Sequence, residues 1–272
     1  ERKDYFPPKD IVEEVKQALN HHRSGEIDWV TFVGSGEPTL HANLGWLIRQ
    51  VKAITEIPVG LITNGALFYR PEVRQEVAVA DAVMPSLDSG DSNLYRKINR
   101  PHPDIPFARY VEGLVKLRAE YRGQLWVEVM VVRNLNDSED ALRAIADALQ
   151  KIQPDRVHIT QPTRPPVETW VQPPDHEGLL RARAILGKIA QISYPESGDF
   201  DLSGYDDVVE AVLGIITRHP IREEKIIQSV EDWFPGEGQS AINSLESSGK
   251  AQVVERYGVR FWTSSPAYYP KE

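Results

Sequence analysis

The chain has 272 residues, 41% of them hydrophobic, which is enough to bury a core and argues against a disordered or fibrous class. Its formal net charge of −9 argues against general polyanion binding, and its zero cysteines exclude disulfides, thiolate nucleophiles and cysteine-ligated metal within these residues. Because no stretch reaches the roughly 18 apolar residues that a membrane span needs, we expect a soluble, cytoplasmic protein with no membrane partner.

Hydrophobic periodicity predicts helices and strands that alternate along the first two thirds of the chain. The first helix follows Asp10, a candidate N-cap. The alternation predicts an α/β fold with a parallel sheet, open or curled into a barrel, whose sites lie at the carboxyl ends of the strands. The predicted helices cover residues 11–19, 44–54, 72–80, 108–121, 138–149 and 176–191, and the predicted strands cover residues 30–33, 59–62, 82–88, 125–132 and 156–160.

The segment after the first predicted strand is typical of a ligand-binding strand end. Gly34 and Gly36 let the backbone turn and approach a ligand closely, which a Cβ would hinder. Glu37 adds a charge here, and Pro38 restricts the direction in which that carboxylate leaves the strand. An ordinary strand-to-helix turn is the alternative interpretation.

Polar residues also follow three later strands: Asn64 after the second, Ser86 and Asp88 at the third, and Thr160 with Gln161 at the fifth. Because the carboxyl ends of parallel strands share one edge, these residues are candidates for the same site. Asn64 precedes a glycine and is also explained by a turn, and Ser86 or Asp88 is also explained as a helix cap.

A basic cluster lies between the third strand and the next long helix. It consists of Arg96, Lys97, Arg100 and His102 and could receive an anionic group, although a solvated loop explains the charge equally well. His158 is expected to pack or hydrogen-bond within its strand. We predict no metal site among the histidines and carboxylates.

The C-terminal part of the chain has a different pattern. A linker is predicted at residues 195–204, separating a first domain (1–194) from a second (205–265) in which three helices and a hairpin near Tyr257 describe a winged helix. The third of these helices, residues 240–248, has no lysine or arginine, which disfavours duplex recognition because phosphate binding needs basic side chains. We expect a docking or substrate-guiding role.

Four motifs together resemble the radical SAM superfamily, close to its wyosine-synthesis-like branch, over roughly residues 1–192. They are FVGSGEPTL at 32–40, ITNG at 62–65, SLD at 86–88 and INRPH at 98–102. The resemblance implies a partial (β/α)6 barrel that lacks its first strand here. It also implies that S-adenosylmethionine is the cofactor.

The resemblance also implies roles for the candidate residues. Gly34, Gly36 and Glu37 would receive the methionine ammonium of S-adenosylmethionine. The strand-end residues Asn64, Ser86 and Asp88 would contact its carboxylate and ribose, and Thr160 with Gln161 would contact adenine. The basic cluster would serve the substrate.

In that superfamily a Cys-x3-Cys-x2-Cys loop holds a [4Fe-4S] cluster, and this chain has no such loop. We expect either that the loop lies upstream of Glu1, which the absence of an initial Met favours, or that the protein has lost the cluster. As given, the chain is expected not to ligate the cluster and to be inactive. The intact protein would generate a 5′-deoxyadenosyl radical, taking an electron from a donor such as flavodoxin or ferredoxin, and would modify an unknown substrate, with RNA and protein both candidates.

Two rival functions stay open on the sequence. One is a cluster-less, non-enzymatic binding protein built on the same barrel. The other is a barrel hydrolase that uses Glu37 and Asp88 as paired carboxylates, since such enzymes need two acids facing one bond.

Overall fold

The computed structural model describes residues 1–22, 25–34, 36–193, 207–217, 220–267 and 269. The chain divides into two compact units, of which the first comprises Glu1–Thr160 and Pro174–Ser193 and the second comprises residues 161–173 and 194–272. The predicted linker at 195–204 lies outside the described residues.

The first unit contains a six-stranded sheet whose spatial order is the order of the chain, and all neighbouring strands are parallel. The sheet is formed by β1 (Val30–Phe32), β2 (Val59–Thr63), β3 (Ala82–Pro85), β4 (Gln124–Met130), β5 (Arg156–Thr160) and β6 (Ala190–Ile192). The helices of the unit are α1 (Pro8–His21), α2 (Leu44–Ile54), α3 (Pro71–Val77), α4 (Ser92–Asn99), α5 (Phe107–Glu120), α6 (Glu139–Ile152) and α7 (His176–Leu186).

The two faces of the sheet differ in burial, and β4 shows the difference most clearly. Its Leu125, Val127 and Val129 are fully buried in the helix-packed core, because alternate side chains of a strand point to opposite faces. The intervening side chains remain partly exposed. We call this second face the open face; it carries Trp126, Glu128 and Met130 and their register neighbours Ser86, His158 and Thr160.

Three local predictions for the first unit are wrong. The helix predicted to reach residue 191 ends at Leu186, where Gly187 has a φ of 92°, and Ala190–Ile192 is a sixth strand too short to show a period in the sequence. Helix α4 was not predicted, and its N-cap is Asp91 rather than Ser86 or Asp88. Helix α1 begins at Pro8, so that Asp10 lies in its first turn instead of capping it.

The second unit has helices α8 (Val208–Ile216), α9 (Glu223–Trp233) and α10 (Gly238–Ser248) and strands β7 (Ile221–Arg222), β8 (Ala251–Arg256) and β9 (Val259–Ser264). The strands form an antiparallel sheet in the order β7-β9-β8, and the β8–β9 turn contains Tyr257 and Gly258, both with positive φ. The Tyr257 hydroxyl donates a hydrogen bond to the Val171 carbonyl, which ties residues 161–173 to this unit. In the described residues of both units, no helix is long and apolar enough to cross a membrane.

Candidate functional site

The carboxylate of Glu37 is held at the carboxyl end of β2 by four hydrogen bonds. Its Oε1 accepts from the amide nitrogen of Thr39 (3.0 Å), from the Thr39 hydroxyl (2.6 Å) and from the Thr63 hydroxyl. Its Oε2 accepts from the Asn64 amide (2.7 Å). The Thr63 hydroxyl in turn accepts from the Gly65 amide (3.0 Å), so the carboxylate and the β2 turn fix each other.

Asn64 lies in the turn that its sequence predicted. Its side-chain Oδ1 accepts a hydrogen bond from the Ala66 amide (2.9 Å), and Gly65 has a φ of 70°. A Cβ on Gly65 would lie 3.1 Å from the Pro85 Cβ and 3.3 Å from Leu114, so this position needs glycine for two reasons. Asn64 itself is exposed, beside the Glu37 carboxylate that its amide binds.

Asp88 is only 6% exposed, and both of its carboxylate oxygens are used within the protein. Oδ1 accepts from the Met130 amide and Oδ2 from the Asn99 side chain, each at 2.9 Å. Burial raises the pKa of Asp88, and the two hydrogen bonds partly offset that rise. The geometry therefore does not favour Asp88 and Glu37 as two acids facing one bond.

Ser86 and Thr160 extend the same edge of the sheet. Ser86 follows the last residue of β3, and its amide donates to the Thr63 carbonyl (3.1 Å). Thr160 ends β5 and is the register partner of Met130, whose amide binds Asp88. Gln161 belongs to the second unit.

Gly34 and Gly36 line an apolar cavity of about 410 Å³ together with Phe32, Val33 and Glu37. A Cβ on Gly36 would meet no atom within 4 Å, and one on Gly34 would meet only the Gly36 backbone at 3.8 Å or more. Neither residue has a positive φ. The fold itself therefore does not require glycine at either position, and the space above them is open.

A second cavity, of about 590 Å³, brings the cofactor candidates Glu37 and Asn64 together with Arg100 and His102 of the basic cluster. Arg100 is the C-cap of α4 and has a φ of 44°, and His102 is largely exposed. Arg96 and Lys97 do not line this cavity. Arg96 lies on the exposed surface of α4, where it donates to Asn93.

Glu128 is a residue that the sequence analysis missed. It lies on the open face, burial raises the pKa of its carboxyl group, and the nearby Asp88 charge raises that pKa further. The pKa of its register neighbour His158 is lowered by burial and by the Arg156 charge. The signal was present, because Glu128 is the single charged residue of β4 and lies in an apolar run that begins at Leu125.

The superfamily resemblance implies two bound groups, S-adenosylmethionine and a [4Fe-4S] cluster, and the side chains present fit only the first. Glu37 Oε2, with one protein donor and the open space over Gly36 nearby, suits an ammonium group such as that of S-adenosylmethionine. A [4Fe-4S] cluster does not fit, because the 272 residues include no cysteine. No group of three or more histidine, aspartate or glutamate side chains that could hold a metal occurs within the described ranges.

The chain is similar in sequence to a known protein family and to several known proteins. The model of the radical SAM superfamily matches residues 1–160. A UPF0026 protein of Methanocaldococcus jannaschii is 31% identical over 268 residues, which is 96% of this chain and 82% of that protein. A protein of Brachyspira hyodysenteriae named GTPase Obg is 42% identical over 161 residues, which is 59% of this chain and 23% of that protein.

Among solved structures, the fold is similar to that of a radical SAM methyltransferase from Sphaerobacter thermophilus, with a TM-score of 0.52 at 18% identity. The match covers 70% of this chain and 58% of that one. At this identity the likeness concerns the fold alone.

Proposed function

The chain belongs to the radical SAM superfamily, and we propose that its first unit binds S-adenosylmethionine at the carboxyl edge of the sheet. The observation that carries the proposal is the Glu37 carboxylate, fixed at the end of β2 by donors of the protein. The methionine ammonium is its proposed ligand. Gly34 and Gly36 leave the space for the aminoacyl end, and Asn64, Ser86, Thr160 and Gln161 stay proposed contacts of the rest of the cofactor.

The electrostatics of Glu37 support an ammonium ligand. An ionised carboxylate has about four acceptor sites, and Oε1 already accepts three hydrogen bonds whereas Oε2 accepts one. The acceptor capacity that remains is therefore on Oε2. A charge-assisted bond to this oxygen is about twice as strong as a neutral one, and the carboxylate needs no reordering to form it.

The basic residues of the same cavity support an anionic substrate group. Arg100 and His102 line the cavity that Glu37 and Asn64 also line, so an anion bound there would lie beside the cofactor. Arg96 and Lys97 on α4 would add only longer-range attraction. We propose RNA or protein as the substrate and the wyosine-synthesis-like branch as the part of the superfamily to which the chain belongs.

The proposed role of the 272 residues is to bind and orient the nucleoside. They contain no cysteine thiolate that could hold a [4Fe-4S] cluster. Generation of a 5′-deoxyadenosyl radical is the proposal for a form of the protein that carries the cluster, with flavodoxin or ferredoxin as electron donor. For the second unit we propose a winged helix that guides the substrate. Its α10 has no lysine or arginine, which disfavours a duplex-reading role.

The test is calorimetric titration of the chain with S-adenosylmethionine. We expect the wild type to bind and Glu37→Gln to bind about tenfold or more weakly, since a hydrogen bond to a charged group contributes about 1.5–3 kcal/mol. The matched control is Glu14→Gln, which removes an exposed carboxylate of α1 and should leave the affinity unchanged. Absence of binding by the wild type, or equal affinity in folded Glu37→Gln, would contradict the proposal.

A further inference from the structure

Residues 37–41 form the turn that presents Glu37, and the Arg2 side chain holds this turn. Its Nε donates to the Thr39 carbonyl (2.9 Å), and its Nη2 donates to the His41 carbonyl (3.1 Å). Thr39 is fully buried, and its amide and hydroxyl are two of the donors that fix Glu37 Oε1. Arg2 therefore holds the same residue that orients the Glu37 carboxylate.

The orientation of Arg2 is set by a carboxylate of α3. Arg2 Nη1 donates to Glu76 Oε1 (3.1 Å) and Nη2 donates to Glu76 Oε2, and the two side chains are 14% and 25% exposed. A bidentate pair of this kind fixes the plane of the guanidinium and directs its other N–H groups. Glu76 is placed by the packing of α3 against α2, where a Cβ on Gly45 would lie 3.0 Å from the Glu76 Cα. The turn is thus connected through Arg2 to two packed helices.

The backbone next to Arg2 is bonded to the same turn. The Lys3 amide donates to the Leu40 carbonyl (3.1 Å), and the Lys3 carbonyl accepts from the Ala42 amide (3.0 Å), which together form an isolated parallel bridge. These bonds fix the segment on which Arg2 lies. The Arg2 side chain therefore loses little additional freedom when it holds the turn.

The charge of Arg2 by itself would act against an ammonium ligand. Arg2 and Glu37 line the same cavity of about 590 Å³, and like charges repel, so a guanidinium there weakens the binding of a cation. The hydrogen bonds of Arg2 act in the opposite direction, because a carboxylate that is held in one orientation loses less freedom when a ligand binds. Since the two effects have opposite signs, an experiment can separate them.

We propose that Arg2 is a positioning residue of the ammonium site: it holds Thr39, and Thr39 holds the Glu37 carboxylate with Oε2 available to the ligand. The inference rests on the proposed function, because it takes Glu37 as the group that binds the ammonium. Arg2 itself is assigned no contact with the ligand. Glu76 serves the site indirectly, by orienting Arg2.

The experiment measures by calorimetry how strongly the protein prefers a ligand that carries the ammonium group. The two ligands are S-adenosylhomocysteine and its analogue in which a hydrogen replaces the amino group. The wild type should prefer S-adenosylhomocysteine by about tenfold or more, because the bond between its ammonium and Glu37 is charge-assisted. In Arg2→Lys, which keeps the charge and loses the planar fork of donors, the preference should fall to about threefold or less. Arg2→Gln should lower the preference as well, whereas relief of repulsion alone would raise it.

Hydrogen exchange of the free protein gives a second readout, which needs no ligand. Peptides that cover residues 37–41 should exchange faster in Arg2→Lys than in the wild type, and peptides that cover β4 should exchange at the same rate. A variant that had only lost stability would exchange faster in β4 too and would keep the preference while folded. The matched control is Arg143→Gln, which removes an exposed arginine that pairs with Glu139 on α6 and should change neither readout.

The outcomes separate this inference from the proposed function. A wild-type preference in folded Arg2→Lys, a raised preference in Arg2→Gln, or unchanged exchange of residues 37–41 would overturn the role of Arg2 and leave the proposed function standing. Should neither Arg2 variant fold, Glu76→Gln removes the charge that orients Arg2 and should lower the preference; an unchanged preference there would overturn the inference. A wild type that binds neither ligand, or binds both equally, would overturn the proposed function and the role of Arg2 with it.

Discussion

Two glutamates of the first unit differ in their partners, which leads to opposite expectations for the same substitution. The Glu128 side chain is partly buried on the open face and has neither a hydrogen bond nor an ion pair among the described residues. Glu120 accepts two hydrogen bonds, both at 2.9 Å, from Arg74, which is 6% exposed. Glutamine is isosteric with glutamate, so it removes the charge and changes little else. We predict that Glu128→Gln stabilises the protein and that Glu120→Gln destabilises it.

The magnitudes follow from the partners. An unsatisfied buried polar group costs about 1–3 kcal/mol, and because Glu128 is only partly buried we expect Glu128→Gln to raise the free energy of unfolding by about 1 kcal/mol. Glu120→Gln leaves the buried Arg74 without a charged partner. Breaking a fully buried pair costs about 3–5 kcal/mol, and since Glu120 is half exposed we expect a loss of about 1–2 kcal/mol.

The pH dependence of stability tests independently whether each substitution stabilises or destabilises the protein. The pKa of Glu128 is raised in the folded state, so its contribution to stability is fully present below the unfolded pKa and is lost as pH rises through the folded pKa. The Arg74 hydrogen bond lowers the pKa of Glu120, so its contribution is present above the unfolded pKa and is lost as pH falls through the folded pKa. Glu128→Gln should therefore matter at about pH 7 and have little effect near pH 4, because the raised pKa keeps this carboxyl group largely protonated there. The effect of Glu120→Gln should persist in part near pH 4, because the lowered pKa of Glu120 keeps that carboxyl group partly ionised there.

Urea unfolding followed by hydrogen exchange and mass spectrometry measures the change in the free energy of unfolding of the first unit. Peptides that cover β4, Gln124–Met130, report the first unit without interference from the second. The wild type and both variants are compared at about pH 7 and about pH 4. If Glu128→Gln destabilised β4 as much as Glu120→Gln does, the Glu128 side chain would have a partner in solution, and the predicted stabilisation would be wrong.

Two glycine substitutions should separate binding from stability. Gly36→Ala places a methyl group in open space, so the urea midpoint should not change. The affinity for S-adenosylmethionine should fall about tenfold, because the methyl group occupies space that the ligand needs. An unchanged affinity would mean that the ligand does not approach this backbone. Gly65→Ala places a Cβ on a residue with a φ of 70° and against Pro85, so the free energy of unfolding should fall by about 2 kcal/mol. An unchanged urea midpoint would mean that this turn relaxes to accept the Cβ.

The order of helices and strands in the first unit could be predicted because its signals are local. Ser138 caps α6 by accepting from the Ala141 amide, as the sequence indicated, and β4 and β5 lie within about two residues of their predicted bounds. The failures were elements with little periodicity. The three-residue β6 and the eight-residue α4 each offer too few positions for a pattern to appear.

The candidate site was predictable in position and less so in detail. Placing Glu37 and Asn64 at the same edge of the sheet needs only that their strands are parallel, and the structure brings the two residues into contact. Whether a carboxylate is available depends on contacts that come from distant residues. Asp88 is satisfied by Asn99 and Met130, 11 and 42 residues away, and no sequence pattern shows this.

Glu128 was missed for a related reason. Its segment, residues 125–132, was predicted only as a long apolar strand, and the glutamate within it was given no role. The structure shows that only one face of β4 is fully buried, so that the glutamate lies on the other. Which face an alternating residue joins is set by the register with β3 and β5, and that register is a property of the folded sheet.

Glu37 and Glu128 place a carboxylate at the same edge of the sheet in opposite ways. Donors from Thr39, Thr63 and Asn64 satisfy Glu37 on folding, so it meets a ligand with its orientation already fixed. The Glu128 carboxylate has no such donors among the described residues, and the folded protein therefore carries the cost of its partial desolvation. A carboxylate that the fold has already oriented loses little conformational freedom when it meets a cation, which favours affinity. The difference between the two carboxylates thus follows from which of their oxygens the fold itself uses.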